Sequence, residues 1–318
     1  MKLKRVVLIG GSGFVGSAIA NRLCKAGIEV LIPTRRRSRA GHMLLLPNTQ
    51  VVEADVHDPA TLANLFAGAD AVVSLVGILH SRSGTPYGPD FARAHVELPK
   101  KIVAACRAAG VSRLVHVSAL GADVDGPSEY QRSKAAGEAA IRSTGADLAW
   151  TILRPSVIFG RGDSFLNLFA DLARSFPVLP LAGAKAQFQP VYVEDVAEVV
   201  WRSLQDPGSA GQIFELAGPT VYTLRQLVEY VSALVGCPRP IIPLCESLGL
   251  LQARLMELAP QPLMSRDNVR SMRAPNVASG APLPFGLRPT PLEAVVPGWL
   301  GAQSSRARYY PFRRHARR

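Results

Sequence analysis

The sequence lacks the features of a membrane-spanning, metal-binding or disordered protein. No apolar run in its 318 residues approaches the about 18 residues that a bilayer-crossing helix needs. A hydrophobic content of 48% with 19% charged residues is typical of a globular chain. No secretory signal pattern precedes the first predicted strand, so we expect a cytoplasmic protein. Four cysteines without metal-ligand spacing predict buried thiols in a reducing compartment and no metal site: Cys24, Cys106, Cys237 and Cys245.

The carboxyl terminus lacks acidic residues. Residues 301–318 contain six arginines, which make up half of the net charge of +12, and we expect residues 303–318 to form a basic, disordered tail. A solvated tail without a partner is one interpretation. The other is attraction to an acidic partner or to anionic lipid, which would place the protein peripherally on the inner face of a membrane. No recognition motif accompanies the tail, so nucleic acid is not an expected partner.

A glycine-rich turn stands near the amino terminus. Residues 6–9 predict a buried parallel strand, Gly10, Gly13 and Gly16 follow at G-x-x-G-x-x-G spacing, and residues 17–26 predict a helix. The first glycine suits the tight turn, the second lets backbone approach a pyrophosphate, and the third permits close helix packing. The helix N-terminus then faces the phosphates with free N–H groups. A structural turn without a ligand is the alternative, and the context favours a dinucleotide site.

The second predicted strand, at residues 28–32, ends without the acidic residue that many NAD sites use to bind the ribose. Three arginines follow instead, and Arg35 lies nearest the strand end. A guanidinium can pair with a 2′-phosphate through two parallel hydrogen bonds. The sequence therefore favours NADP(H) over NAD(H), with a solvated arginine cluster as the alternative.

Strands and helices alternate over the first 155 residues. Further strands are predicted at 51–54, 71–77, 113–118 and 149–153, with helices including 92–109 and 128–142. This alternation predicts an α/β fold, a Rossmann doubly wound parallel sheet with a smaller C-terminal substrate or partner lobe. We expect a dinucleotide-binding domain over 1–217 and the lobe over 218–302.

A second chemical signal lies in the helix after the fifth strand, where Tyr130 and Lys134 are four residues apart. Residues i and i+4 share a helix face, so the phenol and the ammonium can reach one site. The ammonium is expected to lower the pKa of Tyr130 and make it a usable acid or base, and Lys134 can also bind a ribose. The alternative is a surface pair.

Together these motifs resemble the extended or atypical branch of the short-chain dehydrogenase/reductase superfamily. More narrowly, the chain resembles the family named for the nucleotide-binding accessory subunit of respiratory complex I. The resemblance spans roughly residues 4–300 and is carried by the glycine turn, Tyr130-x-x-x-Lys134 and the stretches at 55–58, 117–123, 132–138, 153–167 and 189–197.

The resemblance implies a role for each matching residue. Gly10, Gly13, Phe14, Val15 and Gly16 would hold the pyrophosphate, and Arg35 the adenosine end. Asp55 and Val56 would border the adenine, Val76 and Gly77 the adenosine ribose, and Pro155 and Ser156 would close over a nicotinamide placed at Tyr130 and Lys134. Asp55 could instead cap a turn, and Val76 could be a core residue.

Two positions depart from the pattern of active extended members. Where these have consecutive hydroxyl residues after strand five, this chain has Ser118-Ala119-Leu120. Ser118 is the candidate catalytic hydroxyl, unless the register places Leu120 there. His95 stands where many members have Asn, and we interpret it as a satisfied helix residue rather than a ligand.

In the last third, Thr223 is expected to cap a helix at 224–235. Leu248, Leu251 and Leu255 recur at helical spacing within 244–256. Such a stripe favours packed core over an apolar face for a lipid, quinone or partner helix.

Three functions fit the sequence. The first is an NADP(H)-binding accessory or assembly protein linked to respiratory complex I (NADH:ubiquinone oxidoreductase). The second is an active NADP-dependent reductase or epimerase that uses Tyr130 and Lys134 on an apolar, quinone- or isoprenoid-related molecule. The third is a redox-sensing binding protein. Fold alone does not decide among them.

Overall fold

A seven-stranded parallel sheet forms the centre of the computed structural model, which describes residues 3–259 and 262–301. Read across the sheet, the strand order is β11-β6-β5-β4-β1-β2-β3, and every pair is parallel. The strands are β1 Arg5–Ile9, β2 Glu29–Thr34, β3 Thr49–Glu53, β4 Ala71–Ser74, β5 Arg113–Val117, β6 Ala149–Pro155 and, later in the chain, β11 Gln212–Leu216. The predicted Rossmann sheet is confirmed, and β11 adds its edge strand beside β6.

Helices cover both faces of this sheet. The helices are α1 Phe14–Lys25, α2 Pro59–Phe66, α3 Pro89–Phe91, α4 Leu98–Ala109, α5 Glu129–Arg142, α6 Leu166–Ser175, α7 Val193–Gln205, α8 Leu224–Leu234, α9 Glu246–Met256, α10 Arg266–Ser271 and α11 Leu292–Val295. Because side chains alternate along a strand, β1 sends Val6 and Leu8 into a core with α1 and α7, and Val7 and Ile9 into a core with α2 and α4. Both sets are buried, as expected of a parallel sheet.

The strand order reverses at β1, which lies between β2 and β4. In open α/β sheets, ligands bind in the crevice at the carboxyl ends of the strands where the order reverses. The glycine turn follows the carboxyl end of β1 and therefore opens into this crevice.

Short strand pairs and helices form a second layer beyond the sheet. The short strands are β7 Ile158–Phe159, β8 Leu179–Ala182, β9 Gln187–Phe188, β10 Val191–Tyr192, β12 Tyr222–Thr223 and β13 Ile241–Leu244. Their pairs are β10 with β7, β12 with β9 and β13 with β8. Thr223 caps α8 by accepting a hydrogen bond from Gln226 N–H, which confirms that prediction. The domain boundary at 217 stays a prediction, and the tail at 303–318 lies outside the described residues.

The predicted single helix over 92–109 is interrupted. A π-helical segment at Ala92–Glu97 precedes α4, and Pro99 occupies the first turn of α4. Proline has no N–H to give to the carbonyl four residues earlier, that of His95. Helix α5 approaches at this point through Gly137, where a Cβ would lie 2.1 Å from the His95 carbonyl oxygen.

The expectation of packed core for the leucine stripe is wrong. Leu248, Leu251 and Leu255 of α9 are 51%, 54% and 62% exposed. The helix packs through Gly249 and Ala253, both buried, and a Cβ on Gly249 would lie 2.8 Å from the Ala182 Cβ. Since the small residues make the close contact with β8, the leucines face outward.

Candidate functional site

The glycine turn has the backbone geometry that its motif predicts. Gly10 has φ +89°, in the left-handed region that favours glycine. It directly follows β1 and lies close to the residues after β4, so a Cβ on it would be only 3.2 Å from the Val76 nitrogen. A Cβ on Gly16 would lie 2.5 Å from Gly11 Cα, so the third glycine lets α1 pack against the turn itself. Gly13 is the N-cap of α1. The N-terminus of α1 is thereby presented to the crevice, where it can bind an anion.

An open cleft of about 1270 Å³ lies over this turn. That volume exceeds the about 300–1,000 Å³ of sites for small ligands. Ten of the predicted cofactor residues line it: Gly10, Gly13, Phe14, Val15, Gly16, Arg35, Asp55, Val56, Val76 and Gly77. The cleft thus collects the residues assigned to the pyrophosphate and adenosine, and its size and missing Cβ atoms fit a dinucleotide.

The adenosine end carries more charge than the sequence predicts. Arg36 lines the cleft beside Arg35, and so does Glu53 of β3, which pairs in register with Thr34 at the end of β2. The Glu53 carboxylate accepts a hydrogen bond from Arg37 N–H at 3.2 Å. The sequence analysis considered only the residues that follow β2, whereas this carboxylate comes from the neighbouring strand β3.

His57 and Arg93 are two further cleft residues that the sequence analysis missed. Burial, reinforced by the charge of Arg93, lowers the pKa of His57, so its imidazole is neutral near pH 7. Asp55 accepts a hydrogen bond from His57 N–H at 2.9 Å, which shows the turn-capping role considered for it. The same aspartate lines the cleft, so the two roles coincide.

Helix α5 holds Tyr130 and Lys134 at a position fixed by two sets of caps. Ser128 and Gln131 form a capping box at its start. From the distant α10, Asp267 accepts hydrogen bonds from the N–H groups of Glu129 at 2.7 Å and Tyr130 at 3.0 Å. These two hydrogen bonds fix the position of the first turn of α5, which carries Tyr130.

The lysine connects this helix to the cleft. Lys134 is 4% exposed, and its Nζ donates to the Val117 carbonyl at 3.4 Å. It also lies so near the cleft residue Gly77 that a Cβ there would be 3.3 Å away. The Lys134 Nζ is 6.0 Å from the centre of the Tyr130 ring. The structure therefore brings the pair together behind Gly77, at what we call the inner end of the site, although neither residue lines the cleft itself.

The expected lowering of the Tyr130 pKa is wrong for this structure. Burial raises the pKa of Tyr130 to about 12. Burial also lowers the pKa of Lys134 to about 8, against the opposing charge of Glu138. Both groups are pushed toward their neutral forms because removing charge from water costs more than the separated pair regains.

Ser118 follows β5 directly and is 4% exposed. Its Oγ has no hydrogen-bond partner among the residues that the structure describes. A buried hydroxyl without a partner is costly in a folded protein and calls for an explanation, such as a ligand. Leu120, the alternative register, is buried and anchored by its N–H to the Pro155 carbonyl at 2.8 Å.

Pro155 and Ser156 do not line the cleft in the described structure, so their closure over a nicotinamide stays a prediction. The Ser156 hydroxyl donates to Asn276 Oδ1 at 2.6 Å, and Asn276 Nδ2 donates to the Leu120 carbonyl at 3.3 Å. Asn276 therefore links the segment after β5, at Leu120, to the segment after β6, at Ser156. No sequence motif pointed to this residue.

His95 has the structural role that the sequence favours. Ile78 N–H donates to its Nε2 at 3.0 Å, and its Nδ1 is 2.8 Å from Ser133 Oγ. Ser133 in turn donates to the Tyr130 carbonyl, so the imidazole carries its proton on Nδ1. Burial lowers the pKa of His95 to about 2, which keeps the ring neutral. Both ring nitrogens are occupied, and the ring links the cleft wall to α5.

No group of His, Cys, Asp or Glu that could hold a metal occurs among the described residues. Cys24 and Cys106 are buried as expected, whereas Cys237 is half-buried and Cys245 is exposed. No helix in residues 3–259 and 262–301 is long and apolar enough to cross a membrane.

The parallel sheet, the glycine turn at its reversal and the cleft above it define a Rossmann nucleotide-binding protein. The chain belongs to the NAD dependent epimerase/dehydratase family, whose sequence model matches residues 6–217.

Proteins similar to this chain carry names of different functions. The chain is 34% identical to mouse (Mus musculus) mitochondrial NADH dehydrogenase [ubiquinone] 1 alpha subcomplex subunit 9, over 90% of this chain and 77% of that protein. It is 34% identical to ceramide reductase of Caulobacter vibrioides, over 60% of this chain and 58% of that protein. A dTDP-glucose 4,6-dehydratase of Streptomyces venezuelae, solved with NAD, aligns with a TM-score of 0.72 over 96% of this chain and 99% of that one, at 21% identity. That last likeness supports the fold.

Proposed function

We propose that this protein binds NADP(H) and acts as an accessory or assembly factor linked to respiratory complex I, holding its dinucleotide without turnover. The observation that carries the proposal is the open cleft over the glycine turn, with two arginines at its adenosine end. The chain's 34% identity to the mouse mitochondrial NADH dehydrogenase subunit, over 90% of this chain, supports respiratory complex I as the partner.

The preference for NADP(H) rests on Arg35 and Arg36. Both lie on the cleft just after β2, and a guanidinium offers paired donors to a 2′-phosphate. Glu53 opposes the preference because its carboxylate would repel the phosphate, although its hydrogen bond from Arg37 N–H draws it toward the backbone. We expect the two guanidinium groups to outweigh one carboxylate.

Dissociation constants for NADPH and NADH, measured by titration calorimetry, test this preference. NADPH is expected to bind at least tenfold more tightly. Arg35→Ala should remove most of that difference and leave NADH binding unchanged, because NADH has no 2′-phosphate. Arg37→Ala is the matched control, since its contact with Glu53 is made by the main chain. Equal affinities in the wild-type protein would refute the preference.

The peripheral membrane contact through the arginine tail is a separate part of the proposal. Six arginines near an anionic surface would each contribute about 1 kcal/mol. Sedimentation with vesicles containing phosphatidylserine should fall when the chain is truncated after Gly301. Unchanged sedimentation would remove the tail from the account.

A second candidate function, an NADP-dependent reductase or epimerase, is favoured by the unpartnered hydroxyl of Ser118, which directly follows the Val117 carbonyl that Lys134 contacts. A bound nicotinamide supplies hydride-transfer chemistry. Ser118 Oγ would donate a hydrogen bond to a substrate carbonyl, and Tyr130 would give its phenolic proton to that oxygen. The raised pKa of Tyr130 keeps it protonated and able to act as the acid.

This candidate is tested by absorbance at the reduced-nicotinamide band. NADPH-loaded protein is mixed in turn with short-chain quinones and with a small-molecule extract. Bleaching that Tyr130→Phe abolishes would establish an oxidoreductase. Persistent absorbance with NADPH tightly bound would favour the accessory function.

A further inference from the structure

Arg93 is a charged cleft residue that the proposed function does not use. It reaches the cleft from the segment before α4, whereas Arg35 and Arg36 reach it from the end of β2. Its side chain is exposed, and it forms no ion pair with any residue that the structure describes. A guanidinium on the wall of a ligand cleft, without an acidic partner, is free to contact the ligand.

The acidic residue best spaced to neutralise Arg93 is paired elsewhere. Asp90 also lines the cleft and stands three residues before Arg93, a spacing that favours an ion pair within a helix. Arg82 instead donates a hydrogen bond to each Asp90 carboxylate oxygen, both at 3.2 Å. Since the loop before the segment neutralises Asp90, the charge of Arg93 is left facing the cleft.

The backbone around Arg93 is the π-helical segment Ala92–Glu97. The Arg93 carbonyl accepts the N–H of Leu98, five residues further along the chain. A π-turn inserts one extra residue into a helix, and such turns are frequent at functional sites. Residues 94–96 are buried behind the segment, so the exposed Arg93 is the side chain that this turn presents to the cleft.

The Arg93 side chain lies beside the residues assigned to the adenine. His57 directly follows residues 55–56, and all three line the cleft. The pKa of His57 is lowered first by burial and next by the charge of Arg93, while Arg35 has a smaller effect in the same direction. Lys101 Nζ donates to the His57 carbonyl at 2.8 Å, which ties this wall of the cleft to α4. Arg93 therefore stands over the adenine end of the cleft and not over the glycine turn.

We infer that Arg93 stacks its guanidinium on the adenine ring of the bound dinucleotide and holds the base independently of the 2′-phosphate. The inference rests on the proposed dinucleotide site. A guanidinium is planar and weakly hydrated, and it stacks on aromatic faces. The glycine turn is assigned to the pyrophosphate and Arg35 to the 2′-phosphate, so the base is the part of the ligand that remains beside residues 55–57. Arg93 thus recognises the purine, and Arg35 recognises the phosphate.

Titration calorimetry of the full chain with four probes tests the inference: NADPH, NADH, adenosine 2′,5′-bisphosphate and adenosine 5′-monophosphate. A cation–π contact of about 1 kcal/mol corresponds to about fivefold in affinity. Arg93→Met should therefore weaken the binding of all four probes by about fivefold, because all four contain adenine. Arg35→Ala should weaken only the two probes that carry a 2′-phosphate.

Lys100→Met is the matched control, because Lys100 is an exposed cation of α4 that does not line the cleft. It removes the same charge without the proposed contact, and screening by salt should keep all four affinities within about twofold of the wild-type values. An equal loss in this control, or four unchanged affinities in Arg93→Met, would overturn the inference.

The pattern across the probes separates stacking from contact with a phosphate. A loss in Arg93→Met that is confined to the two probes with a 2′-phosphate would overturn the inference in favour of that phosphate. A loss confined to the two dinucleotides would overturn it in favour of the pyrophosphate. A wild-type protein that binds none of the four probes would refute the proposed dinucleotide site itself, and this measurement is made before any variant is compared.

Discussion

The two ends of the site differ in construction: main chain shapes one end, and side chains form the other. The dinucleotide end is an open cleft of about 1270 Å³, shaped by main chain at Gly10, Gly13 and Gly16. The inner end is made of buried side chains, among them Lys134 and Ser118, each 4% exposed. The first end needs only the absence of Cβ atoms, whereas the second depends on protonation states and on a chain of hydrogen bonds.

This difference indicates that binding and chemistry can be separated in this molecule. Substitutions of the Ser118 and Tyr130 hydroxyls leave the glycine turn intact, because they belong to other elements, whereas Lys134 lies at the junction of the two ends, beside Gly77. A chain of this design can keep its dinucleotide whether or not it catalyses a reaction. The accessory function and the reductase function therefore place the same demand on the cleft and different demands on Tyr130.

The largest effect is expected at the open end, from Gly16→Ala. The new Cβ would lie 2.5 Å from Gly11 main-chain atoms, so the turn must move. NADPH affinity should fall at least 100-fold by calorimetry. Gly298→Ala is the control, since no atom lies within 4 Å of its Cβ position. Retention of NADPH binding in Gly16→Ala would show that the phosphates are held elsewhere.

The next effect is expected at the inner end, from His95→Ala. The variant loses the bond from Ile78 N–H and the link to Ser133, and leaves a cavity beside Phe91 and Tyr130. Urea unfolding should show that the free energy of unfolding is lower than that of the wild-type protein by about 3 kcal/mol. The exposed His42→Ala serves as the control and should cost less than about 0.5 kcal/mol. If His95→Ala lowered the free energy of unfolding by no more than the control, the histidine would not link the cleft wall to α5.

A smaller effect concerns the pH dependence of the junction between the two ends. The pKa of Lys134 is about 8 in the folded protein against an ordinary value of 10.5 for lysine, because burial disfavours the charged form. Between these values the folded state releases its proton first, so the free energy of unfolding should rise with pH. NADPH affinity should fall over the same range, by up to about tenfold per pH unit, as the ammonium is lost.

Lys134→Met should remove both trends, because methionine does not titrate. Affinity measured by fluorescence from pH 7 to 10 and urea unfolding at the same pH values provide the check. Binding and stability that change in the same direction with pH would exclude Lys134 as the titrating group.

The sequence predicts the open end better than the inner end. Glycine spacing after a buried strand reports main-chain geometry directly, and the order of strands and helices determines where that turn lies. Ten cofactor residues could therefore be placed on the cleft in advance. Helix α8 and its Thr223 cap were equally readable, because capping is a local property of the chain.

The remaining features depend on contacts between residues far apart in sequence. Glu53 reaches the adenosine end because β3 pairs with β2, and Asn276 reaches Ser156 across 120 residues. The direction of the Tyr130 pKa shift depends on how deeply α5 is buried, which spacing does not reveal. The leucines of α9 face outward because Gly249 and Ala253 make the close contact with β8, and helical spacing alone cannot choose between two apolar faces.

NADPH affinity of the double variant Tyr130→Phe/Ser118→Ala tests the separation of the two ends most directly. Calorimetry should give a dissociation constant within about threefold of the wild-type value, because binding is carried by the glycine turn and the arginines. The same preparation should show no bleaching of NADPH with any carbonyl compound that the wild-type protein reduces. Loss of NADPH binding in this variant would contradict the account, since the inner hydroxyls would then be part of the dinucleotide site itself.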